Sequence, residues 1–256
     1  MIIIVSPSKT QHLVRSPGSQ HSHPPLMENT ATLISLLRQF DRAELAKLMN
    51  ISEKLADLTY KRIHDFTIPH TAESAGIALA TFQGDAFSAM NKESYSPDDL
   101  LFAHAHLRIL SGLYGILRPL DLMQPYRLEM GTKLRSDRGK NLYDFWGSTI
   151  TESLNGDLEE MQDRVIVNCA SKEYSRAVKQ NLLIGPMLTI TFKQKKNTVL
   201  KSIAIYAKRA RGMFVDYLIK ERIKDIEQLT EFDAGGYTFA ADLSTRSELV
   251  FITTLD

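Results

Sequence analysis

Residues 107–131 restrict the fold of this chain more than any other stretch: Leu-Arg-Ile-Leu-Ser-Gly-Leu-Tyr-Gly-Ile-Leu-Arg-Pro-Leu-Asp-Leu-Met-Gln-Pro-Tyr-Arg-Leu-Glu-Met-Gly. Long apolar side chains continue through its turns, so the segment packs rather than floats. Gly112 and Gly115 let the backbone take a positive φ or approach another group closely. Pro119 and Pro125 forbid one continuous helix. A packed irregular segment must find partners for its own backbone polar groups. If amides around 111–115 point outward, they form a concavity for a phosphate or another anion. Two readings stay open. In one, residues 109–113 are a buried strand followed by an exposed turn. In the other, a helix starting at Pro97 ends at Ser111 and a second short helix follows. The second arrangement is a helix-hairpin-helix, which grips duplex backbone without reading bases. Against it, Leu113 and Tyr114 separate the glycines where one apolar residue is usual, and Pro119 leaves little room for the second helix.

A chain of 256 residues, 43% hydrophobic, can build a full core without covalent staples. The one cysteine, Cys169, cannot form an intramolecular disulfide, which fits a reducing cytoplasm. No apolar run approaches the ~18 residues of a membrane span. The opening Met-Ile-Ile-Ile-Val is too short, and lacks the basic flank, for a signal peptide. No linker, repeat or low-complexity segment divides the sequence. The expectation is one α+β domain over residues 1–256, with a mixed central sheet, a helix-rich N-terminal half and a positively charged cleft.

Net charge is only +1, but its distribution is uneven. Residues 193–224 carry ten basic and two acidic side chains, a local +8, and residues 225–256 carry a local −6. The asymmetry fits a basic face for a polyanion, or charges that pair across the fold. The clearest amphipathic helix spans 208–223, with Ala210, Met213, Phe214, Tyr217 and Leu218 on one face. Lys208, Arg209 and Arg211 fall at its start, where cations oppose the helix dipole at a cost of ~0.3–1 kcal/mol each. Lys208 and Arg211, three apart, share a side. An anion held between them and the helix amides removes the conflict.

Residues 2–5 read as a buried β-branched strand, and Lys9 follows its end in a loop where an α/β sheet places ligands. The spacing is not that of a phosphate loop. Residues 11–25 form a surface loop holding His12, His21 and His23, with no carboxylate to complete a metal site. Helices are expected over 26–40, after Asp41, after Ser52 and after Ser96, and a strand over 77–82. Asp85 is a candidate carboxylate or a helix cap. Arg127 either binds phosphate bidentately or pairs internally with Glu129 or Asp121. Trp146 packs within a helix over 141–154. A strand over 165–168 exits through Asn168, Cys169, Ser171, Lys172 and Glu173, a second strand-end site. Cys169 has no nearby histidine to activate it and reads as a buried thiol. Residues 187–193 and 199–206 form an antiparallel pair across 194–198, and 236–239 and 249–253 are edge strands.

Six pieces of sequence carry a resemblance: Ser6-Pro-Ser-Lys-Thr10, Phe82-Gln-Gly-Asp85, the 107–131 run, Leu142-Tyr-Asp-Phe-Trp-Gly147, Asn168-Cys-Ala-Ser171 with Glu173-Tyr174, and Tyr206-Ala-Lys-Arg-Ala-Arg-Gly212. In this order they resemble the YaaA family of peroxide stress resistance proteins. The resemblance implies a fold of its own with a positively charged cleft, distinct from a Rossmann sheet. It also implies a part in limiting peroxide damage by lowering free iron.

Three functions are in view. The first is sequence-tolerant binding of double-stranded DNA by Lys9, Gly112, Gly115, Arg127, Lys172, Lys208, Arg209 and Arg211, through phosphate contacts that position without specifying bases. The second is an enzyme acting on a nucleotide or nucleobase-like substrate, with Asp85, Glu129, Asn168, Ser171 and Glu173 in a cleft. The third is iron sequestration, for which seven His and one Cys show no metal-ligand spacing. No cofactor, metal, membrane or protein partner is called for by the sequence. A long basic groove favours DNA, and a closed pocket with perturbed carboxylates favours the enzyme.

Overall fold

The computed structural model describes residues 1–15, 20–196 and 199–254. Parts of the loop expected over 11–25 and of the turn expected over 194–198 lie outside the described residues. The chain is organised on an eight-stranded mixed sheet. Strand β1 (Ile2–Val5) lies inside it, every residue buried. A run of four β-branched residues suits a strand covered on both faces.

After β1 come helices α1 (Met27–Leu37), α2 (Arg42–Met49) and α3 (Glu53–His64), strand β2 (Gly76–Ile77), and helices α4 (Ala78–Thr81), α5 (Asp85–Ala89) and α6 (Pro97–His106). The 107–131 run then supplies β3 (Leu107–Ser111), β4 (Gly115–Leu117) and β5 (Leu122–Met123). Helices α7 (Leu142–Trp146) and α8 (Thr149–Glu159), strand β6 (Ile166–Asn168) and helix α9 (Lys172–Ser175) follow. The remainder holds β7 (Met187–Lys196), β8 (Val199–Lys201), α10 (Ala204–Lys220), β9 (Thr238–Phe239) and β10 (Glu248–Thr254). The sheet order is β4-β3-β1-β6-β7-β10-β9, with β8 beside β7, and β2 pairs with β5 in a separate two-stranded sheet. Strands β3, β1, β6, β7 and β10 run parallel. Strands β4, β8 and β9 are antiparallel additions.

This order creates a switch point. The chain leaves β1 towards β3 on one side and leaves β6 towards β7 on the other. Adjacent strands whose exits diverge leave a crevice at their carboxyl ends, where open α/β sheets bind ligands.

Several local signals hold. Asp41 and Glu44 form a reciprocal capping box at α2, and Ser96 and Asp99 form another at α6. Four expectations are corrected. Residues 77–82 are not a strand: α4 starts at Ala78, whose amide bonds to Asp121 O while that of Leu79 bonds to Pro119 O. Strand β8 stops at Lys201, because α10 begins at Ala204. Strand β10 is not an edge; it lies between β7 and β9. The helix-hairpin-helix is absent from the 107–131 run, where β3 and β4 form an antiparallel hairpin, Ser111 opposite Gly115. Its turn is buried: Gly115 has φ +70°, and a Cβ there would meet Trp146 at 2.7 Å. A Cβ on Gly112 would run into the Leu128 carbonyl. Ser111 Oγ accepts from the amides of Leu113 (3.2 Å) and Tyr114 (2.8 Å), so they do not face outward.

Candidate functional site

The crevice predicted by the sheet order is a cavity of about 260 Å³. The loop after β1 gives it Ser6, Ser8 and Lys9, and the exit of β6 gives Cys169, Ser171 and Glu173. The start of α5 adds Asp85, and α10 adds Lys208 and Arg211. Four of the six sequence pieces singled out above therefore meet in one place. The other two, the 107–131 run and residues 142–147, build the scaffold behind it, where Trp146 Nε1 donates to Gly112 O at 3.1 Å.

Close backbone approaches set the walls. Gly84 has φ +93° and would, with a Cβ, meet Ser8 Oγ at 2.6 Å, so only glycine lets the loop after β1 lie over α5. A Cβ on Gly212 would collide with the Ala86 carbonyl. That glycine lets α10 pack tightly on α5, so Arg211 and Lys208 line the same cavity as Asp85. The two strand exits are tied together: the Ser171 amide donates to Ser6 Oγ at 2.8 Å, and Ser6 Oγ donates to Ser171 Oγ at 3.1 Å.

The charged groups differ in how far they are satisfied. Arg211 has its Nε buried without a hydrogen-bond partner, and no ion pair to it occurs among the described residues. Burial holds its guanidinium below the usual arginine range, with Cys169 acting in the opposite sense. Burial likewise pushes the Cys169 thiol up to about 12, opposed by Arg211, so the thiol is neutral and unreactive at neutral pH. Lys9 Nζ is 2.7 Å from Glu129, which also holds Arg127 at 3.2 Å. The internal Arg127–Glu129 pair left open by the sequence is present, just beside the cavity. Glu173 is anchored, accepting from the Gly131 amide at 2.9 Å.

The other sequence candidates lie elsewhere. Asn168 is buried and shapes the β6 exit, accepting from the Ala170 amide at 3.0 Å. Lys172 and Arg209 are exposed neighbours of cavity residues in the chain. Gly112 and Gly115 are in the buried hairpin turn. Because α10 begins at Ala204, Lys208 and Arg211 stand beyond its first turn, so the dipole argument does not apply to them. The basic segment is also partly neutralised: Lys220 meets Asp99 at 3.2 Å and Arg222 meets Asp98 at 3.6 Å. Ser6, Ser8, Phe87 and Tyr174 line the cavity but were not singled out. Their signal was available for Ser6, Ser8 and Tyr174, which fall inside the quoted pieces. Among the described residues, no three His, Cys, Asp or Glu side chains group as metal ligands.

Comparison with known proteins places the chain in a family. A family model described as peroxide stress protein YaaA matches residues 1–243. A UPF0246 protein of Acaryochloris marina (strain MBIC 11017) is 50% identical over 251 residues, covering 98% of this chain and 99% of that one.

Proposed function

The chain belongs to the peroxide stress protein YaaA family, and from that premise we propose that it protects double-stranded DNA by binding its backbone without sequence preference. The observation that carries this reading is the convergence of Lys9, Lys208 and Arg211 on one cavity, with the Arg211 guanidinium unpartnered. Lys172 and Arg209, next in the chain to cavity residues, are exposed and open to further phosphate contacts. Such contacts fix a protein on a duplex and read no bases. They also connect to iron. Each phosphate neutralised by a side chain releases condensed cations, and any iron held on those phosphates would leave with them. Peroxide then meets less iron at the sugar–phosphate chain, and fewer hydroxyl radicals form there. A cavity at a strand switch point favours a second reading, an enzyme acting on a nucleotide or nucleobase, with Asp85 and Glu173 as its carboxylates.

Fluorescence anisotropy with short duplexes of unrelated sequence, over a salt series, tests the first reading. Affinity is expected to be equal across sequences and to fall with log salt at a slope of about −0.9 per phosphate contacted. Changing Lys208 and Arg211 together to alanine is expected to weaken binding at every sequence and flatten that slope by about 2. Unchanged affinity and slope in the double variant would remove these residues from the interface.

A further inference from the structure

A duplex backbone can meet only the mouth of this cavity, and the lining inside is not that of a simple phosphate site. At about 260 Å³ it lies near the lower end of small-molecule sites, roughly 300–1,000 Å³. A bare phosphate drawn to Arg211 and Lys208 would share the space with the carboxylates of Asp85 and Glu173. Asp85 is exposed and makes no hydrogen bond or ion pair among the described residues, so its carboxylate is free to exchange water for a ligand donor. In the same lining, the guanidinium of Arg211 has a buried donor and no acceptor. A free acceptor and a free donor in one cavity suit a ligand with an anionic end and an N–H-bearing end. Phe87 and Tyr174 contribute apolar surface between them, and the Ser6–Ser171 pair contributes hydroxyl groups.

We infer that the cavity receives a single nucleotide whose base carries an amino group, its phosphate on Arg211 and Lys208 and its amino group on Asp85. A nucleotide supplies each required part: a phosphate with a charge of about −1.5 to −2 as a monoester, hydroxyl-bearing sugar, a flat base for the aromatic wall and an exocyclic amine. A free amino acid also joins an anion to an amine, but it leaves the apolar wall uncovered. The inference rests on the nucleic-acid reading only for the source of the nucleotide, which is either free in solution or a unit unstacked from DNA.

Calorimetric titration of the full chain with dCMP, dAMP and dTMP tests it, since thymine has no amino group. One-to-one binding of dCMP and dAMP is expected, with dTMP weaker by roughly tenfold, the discrimination of one good hydrogen-bonding contact to a base edge. Asp85→Asn, at an exposed position with no internal bonds, is expected to abolish that difference while keeping the fold. Arg211→Met is expected to abolish binding of all three. Parallel arms use a duplex with one bulged adenine, the same duplex with a bulged thymine, and the intact duplex. Silence of the free nucleotides with tighter binding of the bulged-adenine duplex assigns the site to an unstacked unit of DNA. Equal binding of dTMP and dCMP by the wild type, or retention in Arg211→Met, overturns the inference, as does titration by glutamate alone. So does the combination of silent nucleotides and equal affinity for all three duplexes. Failure of the backbone-binding reading looks different: the nucleotides titrate and the intact duplex does not bind.

Discussion

Arg211 shows what one residue reveals about purpose. Arg118, Arg127 and Arg211 each bury an unbonded Nε, but Arg118 still reaches Asp157 at 3.4 Å and Arg127 reaches Glu129 at 3.2 Å. Arg211 has neither relief. A desolvated, unpaired donor destabilises a fold by ~1–3 kcal/mol, and sites that bind ligands keep such costs where stability alone would remove them. Replacing Arg211 by methionine keeps most of the apolar stem and deletes the charge. The expected result is a thermal midpoint several degrees higher, from about 1–2 kcal/mol of added stability, together with loss of ligand binding. A lower midpoint in differential scanning calorimetry would mean that the guanidinium supports the fold, and the case for an anion there would lose its footing. The residue itself was legible in the sequence as a cation on the α10 face, but for a different reason. The dipole conflict assigned to it belongs to the first turn of a helix, and the helix starts earlier.

At the scale of elements, what could be read depended on whether the cause was local. Helix caps are written within four residues, and the Asp41–Glu44 and Ser96–Asp99 boxes form as their sequence specifies. The four buried β-branched residues of β1 likewise declare a covered strand. Residues 78–81 mislead because a short apolar run has no period long enough to separate helix from strand. Their neighbours across the chain, Pro119 and Asp121, settle the matter by accepting the amides of Leu79 and Ala78. Nor does local sequence reveal how α8 is fixed to β3. Arg108 Nε and Nη2 donate to the two carboxylate oxygens of Asp157 at 2.7 and 2.8 Å, and its Nη1 bonds to the carbonyls of His104 and Leu107. The side chains are 5% and 10% exposed, so the pair is effectively buried. Breaking such a pair from one side strands a charge and costs ~3–5 kcal/mol, whereas replacing both partners by apolar residues is often near neutral. Asp157→Asn is therefore expected to lower stability by about that amount, and Arg108→Met with Asp157→Leu to recover most of it. Urea denaturation of both variants decides. An Asp157→Asn loss below about 1 kcal/mol would place this contact with weak surface pairs.

For the whole molecule, the cavity exists because the sheet order brings the ends of β1 and β6 together from opposite halves of the chain. Sequence could flag Lys9, Ser171 and Arg211 one by one, each beside an element end. It could not show that they face one another, since strand order is a property of the assembled sheet. The same assembly buries histidines away from the site, and that has a consequence for stability. His70 Nδ1 donates to Thr67 O at 2.9 Å and its Nε2 lies 2.9 Å from Tyr114 Oη, an arrangement that suits a neutral ring accepting the phenol proton. Burial holds His70 down at about 4, only partly offset by the Thr67 carbonyl. Burial, reinforced by Arg118 and Arg108 and opposed by Asp157, also holds His104 down at about 4. In an unfolded chain both protonate near pH 6.5. Between that pH and about 4 the unfolded state binds more protons than the folded one, so stability must fall as pH falls through this window and level off below it. For His70 the full loss is about 3 kcal/mol. Asp99, held to about 2 by the Ser96 amide and hydroxyl, sheds its own contribution only at lower pH. Asp121, pushed up by burial, works in the opposite sense, since the folded state takes up its proton first. The informative quantity is thus a difference: stability of the wild type at pH 7.5 minus that at pH 4.5, compared with the same difference in His70→Gln. The variant is expected to be less stable at pH 7.5 and less sensitive to acid by roughly 2–3 kcal/mol. Equal acid sensitivity of the two proteins would show that His70 is protonated inside the fold, and the neutral-ring assignment of the Thr67–His70–Tyr114 chain would have to be abandoned.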